Sequence, residues 1–180
     1  LKIDVQDHIA VLTLDRPPVN ATSIALRAEI TQAFDAMGDR DDVRVVVFTG
    51  AGRTFCAGAD IKERTMLSGE PGEYNALNRL TREMFYSILE CPKPVIGAVN
   101  GTALGAGMAL ALCCDIILAG EDAIFGMPEI DVGLAGGVKY LQRHLPPSRV
   151  RRMLLTGKRF PASEFHRLGV LEECVPADRL

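Results

Sequence analysis

Residues 93–129 carry the pattern that most restricts the fold of this chain: two β-type runs with a turn of small residues and an apolar, helix-like run between them. The first run is Val95–Val99, the turn is Gly105 to Gly107, and the helix-like run begins at Met108. A helix that follows such a turn exposes its first backbone N–H groups, which have no intrahelical acceptor and lie at the positive end of the helix dipole. The turn can therefore hold an anion.

Strand and helix patterns alternate along the rest of the chain. Period-two or β-branched runs predict strands at 2–6, 9–14, 43–49, 116–119, 123–125 and 170–175. Helical patterns begin after Ser23, with a stop at Gly38, and cover 73–90, 137–144, 148–156 and 162–168. Residues 50–62 follow neither period until after Asp60, which predicts a loop that leads into a short helix. This alternation favours an α/β fold with much parallel pairing, and 180 residues with 48% hydrophobic content fit one domain spanning 1–180.

Charge and composition exclude several classes of partner. The chain has 20 Lys+Arg and 23 Asp+Glu, a formal net charge of -3, so no positive excess would attract nucleic acid or an anionic membrane. Polar residues and glycines interrupt every apolar run before the roughly 18 residues that a membrane span needs. We therefore expect a soluble, cytoplasmic protein.

The cysteines and histidines argue against disulfide bonds and metal sites. The five cysteines form no C-x-x-C pair and have mostly apolar neighbours, which favours reduced thiols: Cys56, Cys91, Cys113, Cys114 and Cys174. None of the three histidines is spaced from another His or Cys as zinc ligands are. No metal site is expected.

Each of three segments has a structural and a chemical interpretation. In the loop Cys56–Asp60, Gly58 can simply supply an unusual backbone angle and Asp60 can cap a helix. The turn at Gly105 can reflect close packing of a helix on a sheet, since it matches no nucleotide-binding fingerprint. Glu129, among apolar neighbours, is an exposed turn residue or a partly buried acid; burial would raise its pKa towards the range useful for proton transfer.

Several motifs taken together resemble those of the crotonase superfamily, also called the enoyl-CoA hydratase/isomerase family. The matching segments extend over nearly the whole chain and occur in the family's order: 16–17, 20–21, 49–50, 55–63, 93–107, 114–115 and 125–129. The resemblance implies a ββα spiral fold that binds an acyl-CoA thioester and stabilises the enolate formed beside its carbonyl group. It also implies fatty acid metabolism, no cofactor beyond the coenzyme A of the substrate, and a homo-oligomer, either a trimer or a hexamer built as a dimer of trimers.

The resemblance also assigns roles to particular residues. The backbone N–H groups of Ala59 and Ala106 would form an oxyanion hole, and Glu129 would be the catalytic acid/base. The residues that would line the coenzyme A moiety are Ala57, Ala59, Asp60 and Ile61.

One departure from the family pattern leaves the reaction open. Typical hydratases of the family carry a second glutamate two residues after the turn, where this chain has Ala109. Adding water is helped by two acids, whereas one acid can move a proton between carbons, as in the family's isomerases. Asp131 could supply a second carboxylate if its segment is extended, because it would then point the same way as Glu129; a solvated loop acid is the alternative. Two hypotheses remain: an enoyl-CoA hydratase/isomerase, or a catalytically weak acyl-CoA-binding or scaffolding paralogue.

A second departure concerns the end of the chain. The run from Gly133 to Lys139 is shorter than the usual hydratase loop and lacks its proline, so we expect a reshaped acyl pocket. Family members usually continue past the position of Leu180 into further helices. We therefore expect this C-terminal helical region to be missing from the sequence.

Overall fold

A computed structural model describes residues 1–66 and 68–180 and shows a mixed α/β architecture. The strands are β1 (Lys2–Gln6), β2 (Ile9–Leu14), β3 (Val45–Gly50), β4 (Thr54–Cys56), β5 (Val95–Val99), β6 (Thr102–Leu104), β7 (Ile116–Gly120), β8 (Ile124–Gly126), β9 (Arg159–Pro161) and β10 (Glu173–Val175). The helices are α1 (Ile24–Asp39), α2 (Ile61–Thr65), α3 (Glu73–Leu89), α4 (Ala106–Leu112), α5 (Val138–Leu141), α6 (Pro147–Thr156) and α7 (Ala162–Arg167), with 3-10 turns at Pro128–Val132 and Ala177–Arg179.

The strands are divided between two sheets. The larger sheet has the order β1-β2-β3-β5-β7-β10, in which only the β1–β2 hairpin is antiparallel. Its turn, Asp7-His8, has positive φ angles of 50° and 68°, the backbone form of a tight two-residue hairpin. The smaller sheet has the order β4-β6-β8-β9, in which β4, β6 and β8 are parallel and β9 is antiparallel.

Successive strand pairs alternate between the sheets, which produces a spiral. In β3/β4, β5/β6 and β7/β8 the first strand joins the larger sheet and the second joins the smaller one, and helical segments follow each pair. The predicted ββα spiral fold is confirmed. A chain of edge-to-face aromatic contacts links the first turn of the spiral: Phe34 of α1 to Phe48 of β3 at 5.3 Å and Phe48 to Phe55 of β4 at 5.6 Å between ring centroids.

The predicted elements agree with the structure except for the shortest ones. The predictions missed β4, β6 and β9, each of which has three residues. The predicted strand 170–175 is a strand only from Glu173 to Val175. The segment Pro128–Val132 is a 3-10 helix and not extended, so the condition for aligning Asp131 with Glu129 is not met.

The smaller sheet positions three loops at one edge. Because β4, β6 and β8 are neighbours and parallel, their carboxyl ends point the same way, and the segments after Cys56, Leu104 and Gly126 leave the sheet side by side. Within 1–66 and 68–180, no helix is both long and apolar enough to cross a membrane.

Candidate active site

A cavity of about 400 Å³ opens where these three loops meet. Its wall includes every residue that the sequence predicted for the site: Ala57, Ala59, Asp60, Ile61, Ala106, Glu129 and Asp131. The structure thus brings together residues that are up to 74 positions apart in the chain, from Ala57 to Asp131. Burial of apolar side chains around a few polar groups is typical of small-molecule sites.

The loop after β4 leaves one backbone donor available. Ala57 N donates to Val19 O at 3.0 Å, and Asp60 N donates to Thr22 O at 3.2 Å. Gly58 N lies 3.4 Å from the Cys56 sulfur, which accepts its hydrogen bond. In the part of the chain that the structure describes, Ala59 N has no acceptor. Thr22 pairs with Ala59 in a single parallel bridge. Thr22 makes both hydrogen bonds of this bridge, to the residues on either side of Ala59, so the Ala59 N–H points away from Thr22.

The turn after β6 supplies a second available donor. Gly105 N donates to Gly126 O at 2.9 Å, and Ala109 N donates to Gly105 O at 3.0 Å, which begins α4. Among the described residues, Ala106 N has no acceptor, as expected for the first residue of a helix. The two loops are in contact, since a β-carbon placed on Gly58 would lie 3.6 Å from Ala106 N. The two predicted N–H donors therefore belong to loops that touch each other.

Glu129 follows β8 and lies against the same turn. A β-carbon on Gly105 would be 2.7 Å from Glu129 Oε1, so the carboxyl group packs on the bare α-carbon of Gly105. Glu129 Oε2 is buried and finds no hydrogen-bond donor within the described chain. Burial raises the pKa of the Glu129 carboxyl above its ordinary value, and its backbone N–H offsets part of this shift. The alternative of an exposed turn glutamate was wrong.

Asp60 has a structural role in addition to its place in the cavity wall. Its Oδ1 accepts a hydrogen bond from Lys62 N at 3.1 Å, and its Oδ2 forms an ion pair with Arg16 Nη2 at 2.7 Å. The hydrogen bond from Arg16 holds the pKa of Asp60 below its ordinary value. The interpretation of Asp60 as a helix cap is confirmed, and its contact with coenzyme A stays a prediction.

The cavity has no second carboxyl group at the position of Ala109. Ala109 is 1% exposed and lines the cavity. Asp131 also lines the cavity, but it is exposed to solvent. Its carboxyl group lies close to Gly157, since a β-carbon on that glycine would be 3.1 Å from Asp131 Oδ1. Its role as a second acid stays a prediction.

Sequence reasoning missed a polar wall of the cavity. Arg27 is only 5% exposed and lines the cavity beside Asn78 and Thr81 of α3. The signal for it was present, because Arg27 lies three and seven residues before the apolar Ile30 and Phe34 and therefore on the same face of α1. A buried arginine requires hydrogen-bond partners, and its position on that face could have been used to expect them.

Comparison with known proteins identifies the family. The sequence profile of the enoyl-CoA hydratase/isomerase family matches residues 4–180. The chain belongs to the enoyl-CoA hydratase/isomerase family. This confirms the resemblance that the motifs indicated. In residues 1–66 and 68–180 of this chain, no three or more His, Cys, Asp or Glu residues form a group that could hold a metal ion.

Three members of the family illustrate the similarity. A probable mitochondrial enoyl-CoA hydratase of Dictyostelium discoideum is 39% identical over 177 residues, which cover 96% of this chain and 62% of that protein. The 2,3-dehydroadipyl-CoA hydratase of Escherichia coli is 36% identical over 182 residues, covering 99% of this chain and 70% of the relative. The crystal structure of an enoyl-CoA hydratase from Bacillus anthracis superimposes with a TM-score of 0.91 at 32% identity, covering 98% of this chain and 70% of that chain. The chain thus spans about two thirds of the length of these family members.

Proposed function

We propose that this protein binds an acyl-CoA thioester in the cavity and moves protons at the carbon next to the thioester carbonyl. The carbonyl oxygen would accept hydrogen bonds from Ala59 N and Ala106 N. When a proton leaves the neighbouring carbon, negative charge develops on this oxygen, and two fixed donors stabilise it more than they stabilise the neutral thioester. Loss of one such donor typically costs roughly 2.7 to 4 kcal/mol of transition-state stabilisation.

Glu129 is the acid/base in this proposal. The observation that carries the proposal is its carboxyl group, which lies against Gly105, beside the turn that presents Ala106 N, and has one buried oxygen without a donor in the described chain. A carboxyl group with a raised pKa can both take and return a proton near neutral pH. The free Oε2 is suited to accept the proton from the substrate carbon.

The cavity supports double-bond isomerisation better than hydration. In isomerisation, Glu129 would take a proton from the carbon beside the carbonyl of a 3-enoyl thioester, and the electron pair would pass into the enolate. The same carboxyl would return the proton to the far carbon of the conjugated system, giving the 2-enoyl thioester. One carboxyl suffices for this exchange, and Ala109 provides no second one to hold a water molecule.

The loop Ala57–Ile61 would hold the coenzyme A moiety. Its residues line the same cavity as the two donors, and Ile61 is 51% exposed, which places an apolar side chain at the rim. A ligand group that covers Ile61 would remove this apolar surface from water.

The test follows protons and substrates together. The protein is incubated with a 2-enoyl-CoA and with a 3-enoyl-CoA in heavy water, and mass spectrometry measures hydration, isomerisation and deuterium uptake. We expect isomerisation and uptake to exceed hydration, and Glu129→Gln to lower both by at least about 100-fold. Glu121→Gln, which changes an exposed glutamate outside the cavity, is the matched control. Full activity in Glu129→Gln would refute the assigned role.

A second candidate function is an acyl-CoA-binding or scaffolding protein. The buried Ala109 favours it, because the cavity keeps the thioester donors without a second acid. Saturable binding of both acyl-CoA compounds without any deuterium uptake would decide for this candidate and against the enzyme.

A further inference from the structure

We infer that Arg27 is a positioning residue that holds the oxyanion donor Ala59 N in place from behind, through the backbone of Thr22. This inference rests on the proposed function. Arg27 Nη2 donates to Thr22 O at 3.2 Å, and Thr22 itself is completely buried. Arg27 therefore contacts the strand segment that pairs with the donor loop.

Thr22 is bonded on both sides of Ala59. Thr22 N donates to Gly58 O at 2.8 Å, and Asp60 N donates to Thr22 O at 3.2 Å. These two bonds fix the peptide groups that flank Ala59, so the direction of Ala59 N depends on where Thr22 lies. Thr22 O accepts from Arg27 and from Asp60 at once, so a shift of the arginine would alter the second bond.

The other end of the guanidinium is anchored on α3. Arg27 Nη1 donates to Thr81 Oγ1 at 2.8 Å, and the Thr81 hydroxyl donates to Leu77 O at 2.8 Å. The planar guanidinium thus spans from a cavity-wall helix to the donor loop in one rigid group. A lysine cannot reproduce this, because its ammonium is a compact charge on a flexible stem.

The burial of Arg27 makes this link stiff. At 5% exposure its charge is largely removed from water, and hydrogen bonds to charged groups in such surroundings contribute more than neutral ones. A displacement of about 1 Å in a positioned group can lower a reaction rate roughly 100-fold. The predicted effect of losing the link is therefore on the rate of the chemical step and not on binding.

The test separates this role from direct contact between Arg27 and the substrate, which the arginine could make because it lines the cavity. We expect Arg27→Met to lower kcat about 10-fold or more while KM changes less than about 3-fold. The kcat of Arg27→Lys should lie between those of Arg27→Met and the natural protein. A raised KM with unchanged kcat would overturn the inference and indicate that Arg27 binds the acyl group.

A spectroscopic measurement gives a readout that a purely structural role would not change. In a Glu129→Gln background, which prevents turnover, the infrared band of a ¹³C-labelled thioester carbonyl should move to lower frequency on binding. Adding Arg27→Met should reduce this shift. A shift that is undiminished by Arg27→Met would refute only the positioning role, whereas no shift in the Glu129→Gln protein would refute the proposed function and this role with it.

Two threonines provide the variants for the case in which Arg27→Met does not fold. Thr81→Val removes the acceptor of Arg27 Nη1 with little change in shape, and Thr81→Ser keeps the hydroxyl. We expect Thr81→Val to lower kcat several-fold and Thr81→Ser to keep the kcat of the natural protein. Thr31→Val is the control, since Thr31 lies on α1 with Arg27 and its hydroxyl donates to the backbone carbonyl of Arg27, not to the guanidinium. Equal kcat in Thr81→Val and Thr81→Ser would contradict the inference.

Discussion

The carboxyl group of Glu129 lies directly on the α-carbon of Gly105, so close that a β-carbon there would be 2.7 Å from Oε1. Gly105 also has a φ angle of +53°, which L side chains rarely adopt. One glycine thus allows both the turn that presents Ala106 N and the approach of the acid to it.

Gly105→Ala should therefore impair both stability and activity. Backbone strain at a positive φ costs roughly 1 to 3 kcal/mol, and displacement of Glu129 should lower activity by about 100-fold or more. Thermal unfolding and the heavy-water assay would measure the two effects. Gly169→Ala is the control, because Gly169 has a φ of +72° with nothing within 4 Å of an added β-carbon. It should lose stability without losing activity per folded molecule; an equal loss of activity in both variants would contradict the contact between Gly105 and Glu129.

Glu129→Gln should be more stable than the natural protein at neutral pH. Burial raises the pKa of Glu129 above its ordinary value of 4.5, so the folded state binds more protons than the unfolded state between 4.5 and the folded pKa. Stability of the natural protein therefore falls as pH rises through this window, and Gln removes that fall. Unfolding in urea at a series of pH values would measure the difference in free energy of unfolding between Glu129→Gln and the natural protein. This difference should be near zero at acid pH and constant above the folded pKa of Glu129. A difference independent of pH would contradict the raised pKa.

Variants of Asp60 should separate its structural role from substrate binding. Asp60→Asn keeps a capping side chain but loses the charge that pairs with Arg16, whereas Asp60→Ala loses both. Loss of a helix cap costs about 1 kcal/mol, so Asp60→Ala should be the less stable variant. Because Arg16 lowers the folded pKa of Asp60, the ion pair stabilises the protein above the ordinary value of 3.8 and ceases to do so as pH falls through the folded value.

Asp42→Asn is the matched control for the Asp60 variants. Asp42 pairs with Arg40 on the surface, where both side chains are solvated, and a change there should have little effect on unfolding. An increase in the KM for acyl-CoA in Asp60→Asn, with unfolding unchanged, would instead support the predicted contact with coenzyme A.

Ala109→Glu should increase hydration relative to isomerisation by about 10-fold, because a second carboxyl group could then hold a water molecule opposite Glu129. The larger side chain enters a buried position. Because overpacking of a buried site typically costs about 1 to 3 kcal/mol, the free energy of unfolding should fall by roughly this amount. Ala109→Gln has the same size without the acid and controls for crowding. A product ratio that changes equally in both variants would rule out the carboxyl group as the cause.

Long elements were predictable because their periods repeat. Helix α3 repeats its apolar positions over several turns, and β3 begins with three consecutive β-branched residues, Val45 to Val47. Strands such as β4, with three residues, cannot show a period. Their strand character depends on a neighbour distant in the chain, such as Thr102 pairing with Thr54.

The placement of residues along the cavity was predictable where the motif consists of backbone positions, and less so where it depends on packing; their catalytic roles stay predictions. Ala59 and Ala106 were identified through their motifs, and both line the cavity. The 3-10 helix Pro128–Val132 was not expected, and the extended backbone on which the alignment of Asp131 with Glu129 depended is not formed. The link through Arg27 and Thr22 depends on a contact between α1, α3 and the loop after β4, which no local pattern specifies.

The parallel alignment of β4, β6 and β8 divides the components of the proposed site among three separate loops. Each loop carries one component: Ala59 N, Ala106 N, and the Glu129 carboxyl. A substitution after β8 can exchange the acid while both donors keep their positions, because they are held by other turns of the spiral. A scaffold of this kind can acquire a new reaction on bound thioesters by altering one loop at a time.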